Sequence, residues 1–180
     1  MTAAAGPPAL TPAELRARLA FEDARLLAEC DVDHQRVRGP GGQHRNKVES
    51  GVRLHHRPSG ITVTATERRS QHENRTQALH RLREALALFT RLPLPEQPAW
   101  PAGVQVTEGR LRVSTHNPAL PQILALALDA LATCDGAHQA AAARLGVTPT
   151  SLARFLADHP KAWAEANRLR AAHGLPPLRA

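Results

Sequence analysis

The strongest restriction on the fold comes from the alternating pattern of GVRLHHRPSGITVTAT, residues 51–66. Apolar residues recur at every second position on both sides of the turn-forming triplet Pro58-Ser59-Gly60. A strand points successive side chains to opposite faces of its sheet. The pattern therefore predicts a β-hairpin with one buried and one polar face.

The next segment, residues 70–89, predicts a helix that covers this hairpin. Ser70 and Glu73 have the spacing of a capping box, in which each side chain bonds the other residue's backbone amide. One apolar stripe follows at helical spacing, formed by Ala78, Leu79, Leu82, Ala85, Leu86 and Phe89. With a further short strand in DVDHQRV, residues 31–37, this predicts a small sheet covered by a helix, an α+β layer.

The flanking segments predict helices on both sides of the α+β layer. Thr11, Pro12 and Glu14 predict a helix start, and Asp23 a second helical piece ending near Cys30. The proline-rich segment 92–102 predicts a stiff linker. We therefore expect an N-terminal helical segment (1–30), an α+β domain (31–91), the linker and a mainly helical domain (103–180).

The C-terminal domain contains a helix-turn-helix pattern at about residues 137–157. The turn falls at Gly146, and the second helix begins with Thr148 as cap and Pro149 in its first turn. Its second helix offers only Arg154 as a basic side chain, which argues against specific DNA binding. A short hairpin is predicted in 104–114, and helices in 119–134 and 160–174.

Positive charge is concentrated in the middle of the chain, which has a formal net charge of +7. Residues 34–91 carry 12 Lys and Arg against 4 acidic residues, a net charge of +8. The remainder adds −3 from residues 1–33 and +2 from residues 92–180. A concentrated basic segment predicts a polyanionic partner, most often nucleic acid.

Other features indicate a soluble, cytoplasmic, monomeric protein without a metal. Cys30 and Cys134 are far apart and outside any CxxC pair, which is typical of reduced thiols. No apolar run reaches the length of a membrane span. His55 and His56 are adjacent on a strand and face opposite ways, so they form a poor chelate.

The segment RVRGPGGQHRNK, residues 36–47, is a basic loop rich in glycine. Gly41 and Gly42 carry no Cβ, so the backbone amides around Gln43 can approach an anion or a developing oxyanion. The loop contains no carboxylate and no Ser or Cys nucleophile. Any catalysis by the loop alone would rest on positioning and electrostatics, and the residues equally fit a plain surface turn.

Residues 39–86 closely resemble the catalytic domain of class I peptide chain release factors, and still more the stand-alone GGQ proteins that rescue stalled ribosomes. The shared residues include the motif Gly41-Gly42-Gln43. The others are Gly39, Asn46, Lys47, Ser50, Val52, Arg53, Leu54, His56, Pro58, Gly60, Ile61, Arg69, Ser70, Gln71, Asn74, Arg75 and Ala78.

The resemblance implies hydrolysis of the ester between a nascent peptide and tRNA in the large ribosomal subunit. Gln43 would stabilise the reacting oxygen through its backbone amide and help select water, with Gly41 and Gly42 supplying the backbone. It implies no cofactor, and N-methylation of Gln43. The residues expected to contact RNA, or to brace the loop, are Arg36, Arg38, His44, Arg45, Lys47, Arg68, Arg69, Gln71 and Arg75.

Two departures from the family pattern leave alternatives open. Arg45 stands where the family usually has Val, and Gly51 where it usually has Ala. The chain has no room for a stop-codon-reading domain of the ordinary kind, and its last residues are a weak polycation. We expect a codon-independent hydrolase that acts on peptidyl-tRNA bound to the ribosome. The alternatives are an RNA- or ribosome-binding protein without turnover and a helix-turn-helix regulator.

Overall fold

The computed structural model describes residues 10–36, 49–114 and 116–179 and divides the chain into two compact units. The first unit is Met1–Leu86 and the second is Ala87–Ala180. No helix in the described ranges is long and apolar enough to cross a membrane.

Two short helices lie at the start of the first unit. Helix α1 (Pro12–Ala17) starts with the predicted capping box, in which the Thr11 hydroxyl accepts from the Glu14 amide at 3.3 Å and the Glu14 carboxylate accepts from the Thr11 amide at 2.8 Å. A 3₁₀ turn, Arg18–Ala20, separates α1 from helix α2 (Asp23–Ala28), so the restart at Asp23 is confirmed.

Among the described residues of the first unit, three antiparallel strands form a sheet in the order β1-β2-β3. Strand β1 is Cys30–Gln35, β2 is Gly51–His56 and β3 is Thr62–Ala65. Val52 pairs with Ala65, and Leu54 with Val63, which places the predicted apolar positions on one face. Val52 and Leu54 are completely buried, so the hairpin prediction is confirmed.

Helix α3 (Gln71–Phe89) supplies most of the other half of this core. The Ser70 hydroxyl accepts a hydrogen bond from the Glu73 amide at 3.4 Å, which confirms Ser70 as a cap. Ala78, Leu79, Leu82 and Leu86 are buried. Burying a leucine side chain contributes about 1.5–3 kcal/mol, so this stripe is a main source of stability.

The stripe prediction is wrong at its last residue, because Phe89 is 66% exposed. The row of side chains buried in the first unit ends one turn earlier, at Leu86, which is also the last residue of that unit. Helical periodicity continues to Phe89, but this residue belongs to the second unit and its side chain is exposed. The α+β architecture itself is confirmed.

The proline-rich segment packs within the second unit. Leu94 is buried, and its amide donates to Thr133 Oγ1 at 3.0 Å. Trp100 Nε1 donates to the Leu145 carbonyl at 3.0 Å. The segment we expected to act as a stiff linker is therefore fastened to the helices of this unit.

In its described residues, the second unit contains the last turn of α3, a two-stranded hairpin and four further helices. Strands β4 (Gln105–Thr107) and β5 (Arg110–Arg112) pair antiparallel, as the sequence predicts, so the domain is mainly rather than entirely helical. The helices are α4 (Leu120–Thr133), α5 (His138–Arg144), α6 (Pro149–Ala157) and α7 (Pro160–Ala172). Their core includes Ile123, Leu124, Leu128, Leu131, Leu152 and Leu156.

Helices α5 and α6 form the predicted helix-turn-helix. Gly146 lies between them with φ of +69°, a conformation that glycine adopts without a steric penalty. The Thr148 hydroxyl accepts from the Ser151 amide at 3.2 Å and caps α6, and Pro149 is its first residue. The predicted cap and turn are both confirmed.

Candidate functional site

The predicted catalytic loop lies outside the described residues. Gly41, Gly42 and Gln43 belong to residues 37–48, which the structure does not describe. The same holds for four of the cationic or polar residues expected at RNA, namely Arg38, His44, Arg45 and Lys47. The described part of the site consists of the residues on either side of this loop and those that contact them.

The two flanks of the loop leave the sheet side by side. Gln35, the last residue of β1, pairs with Gly51, the first residue of β2. Beyond this pair, Arg36 Nε, one residue after Gln35, donates to Glu49 Oε1, two residues before Gly51, at 3.1 Å. The Arg36 side chain is 67% exposed, so this ion pair contributes at most about 1 kcal/mol and leaves Arg36 accessible to a partner.

Gln71 connects both flanks to the first turn of α3. Its Nε2 donates to His34 Nδ1 at 2.9 Å and to the Glu49 carbonyl at 3.3 Å. Because an amide nitrogen only donates, the contact requires an unprotonated Nδ1 on His34. Of the two roles expected for Gln71, the geometry favours bracing of the loop flanks.

Asn74 provides the buried anchor of the same region. Its Nδ2 donates to the Ser50 carbonyl at 2.7 Å and to the Arg68 carbonyl at 2.9 Å. Its Oδ1 accepts from the Arg68 amide at 2.9 Å. Asn74 is completely buried, so these bonds satisfy backbone groups that would otherwise be costly to bury. From the sequence, Asn74 was identified only as one of the residues shared with the family pattern.

Three arginines lie close in sequence to these anchors. Arg68 and Arg69 are exposed in the turn between β3 and α3, and Arg75 is half-buried in the second turn of α3. Within the described part of the chain, none of the three guanidinium groups has a hydrogen-bonding or ionic partner. Arg81, by contrast, pairs with Glu67 at 2.6 Å. The three arginines are suited to phosphate oxygens, and their role at RNA stays a prediction.

A second polar network, around His56, was missed by sequence reasoning. His56 is completely buried. Its Nε2 lies 3.0 Å from Glu29 Oε2, and its Nδ1 lies 2.7 Å from Ser59 Oγ. Glu29 also accepts two bonds of 3.1 Å from Arg18. His56 and Arg18 lie 27 and 11 residues from Glu29 along the chain, so no local pattern could have indicated the network.

The network fixes the protonation of His56. Burial lowers the pKa of His56 below its ordinary value of 6.5, and the hydrogen bond to Glu29 opposes this only in part. Burial raises the pKa of Glu29, but the bonds from His56 and Arg18 outweigh it and hold the pKa below 4.5. A neutral His56 therefore donates from Nε2 to the Glu29 carboxylate and accepts at Nδ1 from the Ser59 hydroxyl.

The described residues position the flanks of the loop and supply positive charge. They do not supply a reacting group. Outside the undescribed segments, no three His, Cys, Asp or Glu side chains come together as metal ligands. The His56 network is enclosed in the core, where a buried, satisfied histidine holds the hairpin turn against α2. The arrangement is suited to presenting the loop between residues 36 and 49 to a negatively charged partner.

Comparison with known proteins matches this part of the chain. A family model described as the RF-1 domain matches residues 27–115. The mitochondrial peptide chain release factor 1 of Kluyveromyces lactis is 41% identical over 100 residues, covering 54% of this chain and 25% of that protein. Peptide chain release factor 1 of Acidiphilium cryptum is 42% identical over 92 residues, covering 50% of this chain and 26% of the relative.

A shorter match extends to another release factor. Peptide chain release factor 2 of Paramagnetospirillum magneticum is 49% identical over 59 residues, covering 33% of this chain and 16% of that protein. The chain thus spans about a quarter or less of the length of these relatives. The first unit from the last residues of α2 onwards lies within the family match, as does the proline-rich segment with the β4-β5 hairpin.

Proposed function

Because residues 27–115 belong to the RF-1 domain family, the GGQ domain of class I peptide chain release factors, we propose that this chain hydrolyses peptidyl-tRNA on the ribosome. The observation that carries the proposal is the sequence Gly41-Gly42-Gln43, placed between two loop flanks that Gln71 and Asn74 hold. The reaction cleaves the ester between the nascent peptide and tRNA by attack of water.

In this proposal Gln43 acts at the reacting ester. Its backbone amide donates to the developing oxyanion, and Gly41 and Gly42 allow the close approach of the backbone. No general base is required of the loop, because the ribosome and tRNA orient the ester and the water. N-methylation of Gln43 belongs to the same proposal, since it modifies the residue nearest the chemistry.

The basic residues beside the loop bind ribosomal RNA in this proposal. Arg68, Arg69 and Arg75 have exposed or half-exposed guanidinium groups next to the braced flanks. Arg36 can exchange its weak ion pair with Glu49 for a phosphate. The proposed partners are thus the large-subunit RNA and peptidyl-tRNA, at the cytoplasmic ribosome.

We further propose that release does not depend on a stop codon. The experiment uses purified ribosomes with labelled peptidyl-tRNA on three messages: one truncated, one with a sense codon and one with a stop codon in the decoding site. We expect release on the truncated message and on the sense codon. Release confined to the stop codon would overturn codon independence while leaving the hydrolase proposal intact.

Variants of the chain identify the residues responsible. Gln43→Ala should abolish release, whereas Gln77→Ala, an exposed glutamine on α3, should leave it unchanged. Absence of release by the unsubstituted protein, together with retained ribosome binding, would favour the binding protein without turnover. Arg45→Val restores the residue usual in the family and tests whether Arg45 limits the rate.

A further inference from the structure

A basic groove lies in the second unit, between the β4-β5 hairpin and α6. It has a volume of about 850 Å³. Three arginines line it, Arg110 and Arg112 from β5 and Arg154 from α6, and all three are exposed. In the portion of the chain that the structure describes, no side chain or backbone oxygen pairs with their guanidinium groups.

Other arginines of this unit are occupied by intramolecular contacts. Arg168 pairs with Glu165 at 2.7 Å, and Arg144 donates to the Pro95 carbonyl at 2.9 Å. Arg170 is buried and donates to the carbonyls of Gly136 and Pro176. The three arginines of the groove differ from these, since all three line one concave surface and none has a partner among the described residues.

The two walls of the groove are fixed to each other. The Thr148 amide donates to the Gly109 carbonyl at 2.8 Å, and the Leu111 amide donates to Ser151 Oγ at 2.8 Å. These bonds join the hairpin turn and β5 to the first turn of α6. A partner would therefore meet arginines on a pre-arranged surface, which lowers the entropic cost of binding.

Hydroxyl groups extend the donor set of the groove. Thr150 lies in the first turn of α6 with its side chain exposed. Ser151 uses its oxygen as an acceptor for Leu111, so its O–H remains a donor to a ligand. Arginine and hydroxyl donors together are the groups that contact phosphate and sugar oxygens in nucleic-acid interfaces.

Two carboxylates, Glu108 and Asp158, also line the groove and bear on the choice of nucleic acid. They repel phosphates, but each can accept a hydrogen bond from a ribose 2′-hydroxyl, which DNA lacks. Helix α6 contributes only one basic side chain to the groove, Arg154, which is too few for reading DNA bases in a major groove. The mixture of arginines, hydroxyls and carboxylates fits the backbone of RNA.

We propose that this groove is an RNA-binding surface that takes the phosphate and ribose groups of an RNA backbone through Arg110, Arg112 and Arg154. It is distinct from the loop and the arginines of the first unit. The inference goes beyond the proposed hydrolase activity and does not depend on it, because RNA binding at this groove is measurable whether or not the chain releases peptides.

The test measures binding of the full chain to a short fluorescent RNA hairpin and to the DNA hairpin of the same sequence, over a series of salt concentrations. We expect Arg112→Gln to weaken RNA binding about tenfold, the loss of one charge-assisted contact. In the triple variant Arg110→Gln, Arg112→Gln, Arg154→Gln, the slope of log affinity against log salt concentration should become smaller in magnitude by about two to three. Arg179→Gln removes an equal charge outside the groove and should have little effect.

Further variants separate the possible outcomes. Glu108→Gln with Asp158→Asn should strengthen binding of DNA more than that of RNA, because repulsion is removed while acceptors for the 2′-hydroxyl are weakened. Arg112→Lys keeps the charge and should retain most of the binding. Unchanged RNA affinity and salt slope in the triple variant, with unaltered circular dichroism, would overturn the proposal. The unsubstituted chain could instead bind DNA and RNA equally well, and the triple variant could lose both to the same extent. That result would overturn the assignment to RNA.

Discussion

The side-chain amide of Asn74 donates a hydrogen bond of 2.7 Å to the backbone carbonyl of Ser50, two residues beyond the undescribed loop. Asn74 is completely buried and also bonds both backbone groups of Arg68. One side chain thus fixes a loop flank and the turn that precedes α3. Asn74 therefore ties the flank at Ser50 to helix α3.

Replacement of Asn74 by Ala should destabilise the protein strongly. It leaves the buried Ser50 carbonyl and the part-buried amide and carbonyl of Arg68 without their partner. We expect a loss of about 3 kcal/mol in the free energy of unfolding. Urea unfolding followed by circular dichroism measures it, with Gln77→Ala as the exposed control on the same helix. A loss below about 0.5 kcal/mol, the usual effect of a surface substitution, would contradict the anchoring role.

Gln71→Ala should affect the loop flank more than overall stability. Gln71 is exposed, so its two bonds contribute no more than about 1 kcal/mol. Loss of its contacts with His34 and Glu49 should speed amide hydrogen exchange at residues 49–51. If the chain releases peptides, the rate should fall between about tenfold and a hundredfold, the range expected for a misplaced reacting group.

For Gln71→Ala, hydrogen exchange reports on the order of the loop flank, and the release rate reports on the positioning of the chemistry. Faster exchange with an unchanged release rate would show that the contact orders the flank without positioning the chemistry. Unchanged exchange would contradict the bracing role itself. Gln77→Ala is again the matched control, because Gln77 lies on the same helix and is exposed.

The buried His56 should make stability fall as the solution becomes acidic. Its pKa in the folded protein lies below 6.5, so below pH 6.5 the unfolded chain binds a proton that the folded protein does not. The contribution of His56 to stability is therefore present above pH 6.5 and is lost as the pH falls towards its pKa in the folded protein. Glu29 adds a second loss below pH 4.5, because its folded pKa is also lowered.

This pH dependence is measured by urea unfolding of the wild type and of His56→Gln between pH 7 and 5, values that bracket the ordinary histidine pKa. The variant should show a smaller slope of unfolding free energy against pH in this window, whatever its absolute stability. His55→Gln is the matched control, because His55 lies on the opposite face of β2, hydrogen-bonded to Thr62. An equal slope in wild type and His56→Gln would show that another group carries the dependence.

Cys30 should be unreactive in the folded protein. Burial is the main cause that raises its pKa to about 11, with the Arg57 charge opposing and the Glu29 and Asp31 charges adding to the rise. The thiol donates to the Leu26 carbonyl at 3.3 Å. Because only the thiolate reacts readily, a thiol reagent at pH 8 should label Cys134 well before Cys30. Cys30→Ser and Cys134→Ser assign the two phases, and rapid labelling of Cys30 would contradict its burial.

The secondary structure was largely predictable because its signals are local. The capping residues Thr11, Ser70 and Thr148 lie within three residues of the amides they bind. The alternation of residues 51–66 likewise predicted the buried face of the hairpin. The error at Phe89 arose because periodicity describes a helix face and not the extent of the surface that covers it.

Local residue patterns were sufficient to predict the α+β layer, the helix-turn-helix and the resemblance of residues 39–86 to release factors. Each of these rests on residue patterns that short segments carry. The three-dimensional packing was needed to show which polar groups meet: Asn74 with Ser50, His56 with Glu29, and Arg110 and Arg112 with Arg154 in one groove. These partners are separated by 24 to 44 residues, and the packing of whole elements, not the local spacing of residues, brings them within reach.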